Sequence, residues 1–305
     1  MKLGFIGAGV AGTTLAAALD GQGRRVVAVG SRTRASAEKL AARLAQCEAL
    51  APQGVADAAD LVFVTTPDDA IASVVASLRW RAGQSVVHCS GAASTDILEP
   101  ARSAGALVGG FHPLQTFASP DQAIRNLPGT TFALEAEEPL LSTLAELATT
   151  LGGSWIRLRP ADKVLYHASA VVASNYLVTL VKLAADLWQE FGVETPVAVQ
   201  ALLPLLRGTL ANLGQVGLPS CLTGPIARGD LGTVGRHLAA LRAADSPVLE
   251  TYCQLGLQAI PIALAKGTLD PARAEALAGL LTSGMRPRTE ADTVRMVSAV
   301  DQPDA

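Results

Sequence analysis

Leu3 to Ile6 form a short apolar run that leads straight into Gly7-Ala8-Gly9-Val10-Ala11-Gly12, the G-x-G-x-x-G spacing, and Thr13 to Leu19 continue with a helical pattern. That order dictates a buried strand, a tight turn and a helix start. Gly7 permits the turn, Gly9 lets a pyrophosphate approach the backbone, and Gly12 lets helix and strand pack closely. The helix start offers unpaired N–H groups and the positive end of the helix dipole to an anion. A second strand, Arg25 to Val29, closes a βαβ unit of about 30 residues. Gly7, Ala8, Gly9, Val10, Ala11 and Gly12 are therefore expected to hold the phosphates of a dinucleotide.

The end of the second strand bears on which dinucleotide. An Asp or Glu there hydrogen-bonds the ribose 2′-hydroxyl of NAD. Here Gly30 is followed by Ser31-Arg32-Thr33-Arg34, two hydroxyls and two guanidiniums where the acid would stand. Arg binds phosphate through paired hydrogen bonds, and Ser and Thr add further donors. The expected cofactor is NADP(H), with Ser31, Arg32, Thr33 and Arg34 around its 2′-phosphate.

Apolar runs and helical patterns alternate over the following hundred or so residues. Strands are expected at Leu61–Val64, Ser85–His88, Ala106–Gly109, Thr130–Leu134 and Ser154–Leu158, with helices near 69–78, 95–104 and 138–151. After Pro160 the strand signals stop, and helices are expected near 161–191, 195–213, 230–243, 246–266 and 271–283. The fold class is α/β: a doubly wound, Rossmann-type parallel sheet over 1–160, then an all-α domain over 161–305. The stretch after Gly284, with Arg286-Pro287-Arg288 and Asp301-Gln302-Pro303-Asp304, reads as a loosely held tail.

Composition narrows the partners. A net charge of −3 offers no electrostatic footprint for nucleic acid. The 4 cysteines (Cys47, Cys89, Cys221, Cys253) are scattered without metal-ligand spacing, so no metal site is expected and the thiols are read as reduced. Lys2 and the alanine-rich stretch after it resemble a secretory signal, but the glycine spacing and the polar 20–25 turn fit βαβ better, so the chain is read as uncleaved and cytoplasmic. Two long apolar stretches, Val164–Ala185 and Val197–Leu218, carry interior polar or charged residues that are costly in a bilayer. They are expected to be buried in a core or a dimer interface rather than to span a membrane.

Ligands of open parallel sheets bind at the carboxyl ends of the strands. Thr65, Thr66 and Pro67 end one strand and are expected beside the cofactor. His88-Cys89-Ser90-Gly91 end the next, with Ser90 orienting a substrate and His88 structural. His112, before Pro113 and between Phe111 and Phe117, is expected in a loop after the strand that follows, with the general-acid role left open between it and His167. In the helix after Pro160, Lys163, His167 and Ser174 fall within about 40° of one another at about 100° per residue, with small Ala170 between them and Asn175 at the flank. Ionisable groups on an otherwise apolar helix are expensive to bury unless paired, so Lys163, His167 and Asn175 join the catalytic candidates. Arg228, in Leu222-Thr-Gly-Pro-Ile-Ala-Arg-Gly-Asp230, is left open between a substrate anion, Asp230 and a dimer partner, with Asp230 suited to cap a helix.

G-A-G-V-A-G, G-S-R-T-R, V-H-C-S-G-A, G-x-H-P-L-Q-T-F and L-T-G-P-I-A-R-G-D, in this order, resemble a bacterial family of predicted oxidoreductases. That family joins an NADP-binding Rossmann-like domain to a helical C-terminal domain of unknown function. More distantly the chain is similar to pyrroline-5-carboxylate reductases, deazaflavin-dependent NADP reductases, β-hydroxyacid dehydrogenases and prephenate dehydrogenases. The resemblance implies a helical second domain that dimerises and completes the active site across the domain cleft. Ser90 and His112 look like a Ser and a hydride-assisting His of the prephenate dehydrogenases. Lys163 resembles the helix lysine of the β-hydroxyacid dehydrogenases, although His167 stands where that family has Asn. The expected function is NADP(H)-dependent hydride transfer to or from a small carbonyl, imine or hydroxy-acid substrate, with a homodimer formed through the C-terminal helices. The alternatives are a non-catalytic NADPH sensor and NADP–deazaflavin hydride exchange.

Overall fold

The computed structural model describes residues 1–285, and the 286–288 and 301–304 segments of the tail lie outside them. Residues Met1–Tyr176 form one compact unit and the described residues from Leu177 to Met285 another.

The first unit is built on an eight-stranded sheet. Its strands are β1 (Leu3–Ile6), β2 (Val26–Gly30), β3 (Glu48–Ala49), β4 (Leu61–Val64), β5 (Ser85–His88), β6 (Leu107–Pro113), β7 (Thr131–Glu135) and β8 (Ser154–Arg157). Helices α1 (Val10–Gly21), α2 (Arg34–Ala41), α3 (Pro52–Ala58), α4 (Asp68–Ala76), α5 (Glu99–Ser103), α6 (Pro120–Asn126), α7 (Leu140–Thr150) and α8 (Lys163–Ala173) complete it. The spatial order is β3-β2-β1-β4-β5-β6-β7-β8. The chain winds outward from β1 to β3, then returns to the other side of β1 with β4. That reversal is the switch point where open α/β sheets form a crevice.

Strands β1 and β4 are short and apolar throughout, and β5 buries Val86 and Val87 between Ser85 and His88, as a sheet covered on both faces requires. On one face four of the six phenylalanines form a ridge across the sheet. Phe5 stacks on Phe63 at 4.9 Å, Phe63 meets Phe111 edge-on at 5.6 Å, and Phe111 meets Phe132 at 4.7 Å. Leu15, Leu19, Leu144 and Leu147 from α1 and α7 close this core. The opposite face buries Ile71, Val75 and Leu98 against Val64 and Val86.

The α/β fold class holds, with a mostly parallel sheet followed by helices, and two details depart from the sequence reading. The sheet is not wholly parallel: β7 runs antiparallel to β6, with His112 opposite Ala133 and Pro113 opposite Phe132. Because β7 supplies backbone partners beyond Gly109, β6 continues to Pro113, and His112 lies in a strand rather than a loop. The boundary also falls after Tyr176 rather than at Pro160, because the side chains of α8 tie it to the sheet.

The second unit takes in most of α9 (Asn175–Gln189) together with α10 (Thr195–Val216), α11 (Leu231–Ala243), α12 (Val248–Lys266) and α13 (Pro271–Gly284). Cys253, Ile260 and Ala263 of α12 pack with Leu277 and Leu281 of α13 and with Val234 and Leu238 of α11. Gly256 and Gly284 permit the approach, since a Cβ would stand 3.0 Å from Leu281 and 2.8 Å from the Cys253 sulfur. Asp230 caps α11, accepting from the Thr233 N–H at 2.9 Å, while Arg228 is exposed and forms no ion pair among the described residues.

Of the two settings expected for the apolar stretches, a core or a dimer interface, the core is not where they lie. Three helical segments (Pro160–Gln189, α10 and α12) are long and apolar enough to cross a membrane, and the most apolar windows of the first two are 0% and 6% buried. Leu165, Val178, Val197, Leu205 and Leu210 all face outward. These segments carry more apolar surface than their own unit covers.

Candidate active site

Because β1, β4, β5 and β6 are parallel, their carboxyl ends share one edge of the sheet. At the end of β1, Gly7 has φ +120°, and a Cβ there would stand 2.5 Å from the Thr65 carbonyl carbon. A Cβ on Gly12 would stand 2.1 Å from the Gly7 oxygen, so both positions require glycine. Around Gly9 the space is open, with nothing within 4 Å of its Cβ position. Gly9 also begins α1 with no side-chain cap, which leaves the first-turn N–H groups of Val10, Ala11 and Gly12 without helical acceptors. Thr65 closes the β1–β4 gap by donating its hydroxyl to the Gly7 oxygen at 2.8 Å. The Thr66 hydroxyl is buried without a hydrogen-bond partner among the described residues, and Pro67 is exposed beside it. Open backbone, unpaired N–H groups and an orphaned hydroxyl fit a phosphate-bearing cofactor.

After β2, Ser31 is half-buried and Arg32, Thr33 and Arg34 are exposed. Arg34 is engaged along α2 by Glu38 at 2.8 Å, and the Thr33 hydroxyl donates to Ser36 at 2.7 Å. Arg32 forms no ion pair among the described residues, so its guanidinium is the one left for a further anion.

The ends of β5 and β6 hold an imidazole cluster. A Cβ on Gly91 would stand 2.6 Å from His167 Nδ1 and 2.8 Å from His112 Nε2, so both rings press on a position that only glycine allows. The two rings are 6.1 Å apart and nearly perpendicular. His112 Nδ1 lies 2.7 Å from the Tyr166 hydroxyl. Beneath them, Lys163 and Glu135 form an ion pair at 3.1 Å, with side chains only 4% and 6% exposed. Glu135 Oε1 accepts from the Thr95 N–H at 2.9 Å and the Thr95 hydroxyl at 2.8 Å. Lys163 Nζ lies 3.1 Å from where a Gly110 Cβ would stand.

The electrostatics follow from dryness. Burial, aided by the Lys163 charge, holds His88 down at about 3. Burial, then His167 and Lys163, hold His112 at about 4, so both rings are neutral near neutrality. Burial also pulls the Lys163 ammonium below its ordinary range against the opposing pull of Glu135, and pushes the Tyr166 phenol up to about 12.

The structure thus gathers His112, His167 and Lys163, and gives each a different setting. Lys163 is committed to Glu135 and closed to solvent. Ser90 is also committed: its hydroxyl donates to Asp68 at 2.6 Å and accepts from the Ala92 and Ala93 N–H groups at 3.3 and 3.0 Å, which fills its capacity. Asn175 is exposed in α9, eight residues beyond His167, or about 12 Å along a continuous helix. Ser174 ends α8 and is exposed, so the inward stripe is Lys163, Tyr166, His167 and Ala170. Tyr166, one turn from Lys163, and Glu135, the acid ending an apolar strand, were not singled out from the sequence. The signal for Glu135 is the lysine itself, since a buried ammonium requires a carboxylate.

Fold and site define a dinucleotide-type α/β sheet unit joined to a helical unit. Residues 1–113 match the Rossmann-like domain family, and residues 130–259 match the domain of unknown function DUF2520. The chain therefore joins the two domains whose pairing its motifs resemble. A solved structure from Bacteroides fragilis, assigned as an NADP oxidoreductase, is 27% identical with a TM-score of 0.67, over 85% of this chain and 98% of that one. Protein TM1727 of Thermotoga maritima is 25% identical with a TM-score of 0.72, over 87% and 99%. A reductive aminase from Aspergillus terreus, solved with NADPH and ethyl levulinate, shares the fold at 20% identity and a TM-score of 0.62, over 92% and 98%. No curated protein matches the chain.

A pH dependence follows. In the unfolded chain both histidines ionise near their ordinary 6.5, whereas the fold keeps His112 neutral down to about 4 and His88 down to about 3. Below pH 6.5 the unfolded state therefore binds more protons, and stability falls as the pH is lowered through this window. The urea unfolding midpoint is expected to drop between neutral pH and about pH 4, and to drop less in His112→Gln. An identical pH dependence in the two proteins would contradict the neutral, buried imidazole.

Proposed function

We propose that the chain is an NADP(H)-dependent oxidoreductase that transfers hydride to or from a small carbonyl, imine or hydroxy-acid compound. One observation carries this reading: the phosphate turn after β1 and the imidazole cluster at the ends of β5 and β6 occupy the same sheet edge. From β1 to β6 is three strand spacings, about 14 Å, a span suited to a dinucleotide lying with its phosphates on Gly7–Gly12 and its far ring toward the histidines. The NADP oxidoreductase assignment of the Bacteroides fragilis protein supports it. When bound, the cofactor supplies the hydride. The residues of this chain supply orientation, exclusion of water and the proton.

Arg32, with Ser31 beside it, is the group we assign to the 2′-phosphate. His112 is the proton donor, with His167 at the same point. Because burial keeps His112 neutral, it does not act as an imidazolium, contrary to what its ordinary pKa implies. Lys163 acts through Glu135 by fixing α8 on the sheet rather than by touching substrate. A cytoplasmic setting accords with four free thiols.

Calorimetry with NADPH and NADH is the direct test. A charge-assisted phosphate contact of about 1.5–3 kcal/mol corresponds to an NADPH preference of about ten- to a hundredfold, which Arg32→Ala should abolish. His112→Gln should lower turnover of a carbonyl or imine substrate by about a hundredfold or more while leaving NADPH affinity intact. Equal affinity for the two nucleotides would overturn the cofactor assignment, and tight NADPH binding without turnover across a broad panel would make the protein a binding module.

We further propose a homodimer through the exposed apolar faces of α9 and α10. Val178 is 71% exposed and Leu205 66%, on two helices with only Ala185 and Ala198 buried between them. Patches of this kind mark interfaces. Sedimentation equilibrium should give twice the chain mass, with Leu205→Glu shifting it to monomer. A monomer in solution that partitions onto lipid vesicles would overturn the dimer and assign these helices to a membrane.

A further inference from the structure

His112 faces two ways. Its Nδ1 lies 2.7 Å from the Tyr166 hydroxyl, with the rings at 89°, and its Nε2 turns toward Gly91, standing 2.8 Å from that residue's Cβ position while His167 Nδ1 stands 2.6 Å from it. That His167 nitrogen is buried without a hydrogen-bond partner among the described residues. Two ring nitrogens of different histidines therefore converge on one point, and one of the two rings has a phenol behind it.

Acidity decides where the protons stand. Burial raises the Tyr166 phenol to about 12 and lowers His112 to about 4, so at neutral pH the phenol is protonated and the imidazole uncharged. A neutral imidazole has one N–H and one lone pair. A phenol O–H is a stronger acid than a neutral imidazole N–H, and the bare ring nitrogen is a better acceptor than a phenol oxygen. The short contact is therefore Tyr166 O–H donating to His112 Nδ1. The imidazole's own proton stands on Nε2, aimed at Gly91 and His167.

We propose that Tyr166 is a positioning residue that holds His112 as the Nε2–H tautomer and passes its own proton to Nδ1 as the Nε2 proton leaves. This rests on the reductase reading above. A neutral imidazole that gave up Nε2–H alone would become an imidazolate, and the imidazolium alternative is opposed by burial and by the nearby Lys163 charge. The two-proton relay avoids both. The His112 Nε2–H bond breaks as an N–H or O–H bond forms on the substrate, and the Tyr166 O–H bond breaks as Nδ1–H forms. The ring ends neutral and the phenol ends as phenolate. The phenolate then takes back the Nδ1 proton while one proton from solvent restores Nε2–H. The reacting carbon receives its electron pair as the cofactor's hydride, so the relay accounts for the proton of the reduction and nothing else.

The test is the imidazole tautomer, read by long-range nitrogen–proton NMR on the full chain with labelled histidine. The chain has only 4 histidines, and His112→Gln identifies the signal. The relay requires the Nε2–H tautomer in the wild type at neutral pH and a shift toward a mixture of tautomers in Tyr166→Phe. With NADPH, cyclohexanone and allylamine as the probe reaction, Tyr166→Phe should lower kcat by about tenfold or more with KM nearly unchanged. An Nδ1–H tautomer in the wild type, unchanged tautomers in Tyr166→Phe, or an equal kcat would overturn the relay. If Tyr166→Phe does not fold, the wild-type tautomer alone decides. NADPH calorimetry on the same samples separates the two readings: loss of nucleotide binding counts against the reductase, whereas a wrong tautomer with binding intact counts against the relay alone.

Discussion

The Lys163 ammonium and the Glu135 carboxylate meet at 3.1 Å where α8 lies against the ends of β6 and β7, and water is excluded from both. Taking two charges out of water costs several kcal/mol per ion, and their attraction repays this only when geometry and remaining hydrogen bonds are good. Thr95 supplies those bonds to the other carboxylate oxygen. The consequence is positional. Lys163 begins α8, so anchoring it sets the rotation of the helix, and with it the placement of Tyr166 and His167 one turn later. The imidazole cluster depends on this pair although neither charge faces solvent.

The same dryness that makes the ion pair costly sets the protonation of its neighbours. His88 and His112 are held uncharged by burial with Lys163 nearby, and the Tyr166 phenol is held protonated. A site of this kind offers neutral donors rather than cations. It contrasts with the glycine turn at the end of β1, where open backbone and unpaired helix N–H groups suit a charged, phosphate-bearing ligand. One edge of the sheet thus divides into an anion-accepting end and a dry, hydrogen-bonding end.

Much of this was legible in the sequence. The glycine spacing after an apolar run located β1 and α1, and the edges of β4 fell where its apolar run ended, because a strand buried on both faces has no polar residue to blur its limits. The C-terminal helices were legible because the strand signals stop after Pro160 and only long apolar and helical stretches follow. The length of β6 was not, because it depends on β7, a strand that joins antiparallel from some twenty residues further on. The burial of the long apolar helices was not legible either, since a hydrophobic pattern tells that a face seeks cover and not what covers it.

The chemistry-bearing residues divide in the same way. Gly7 and Gly12 were fixed by local backbone need, and His112, Lys163 and His167 stood out because polar groups are rare in such an apolar setting. Which of them face a ligand and which hold the scaffold was decided only by tertiary contacts. Lys163 found Glu135, Ser90 found Asp68, and His112 found Tyr166, partners separated by 28, 22 and 54 positions. Sequence determined the strand–turn–helix start and the order of elements, because those follow from neighbouring residues. Tertiary structure alone decided the pairing of charges and the protonation of the imidazoles, because burial and long-range approach set both.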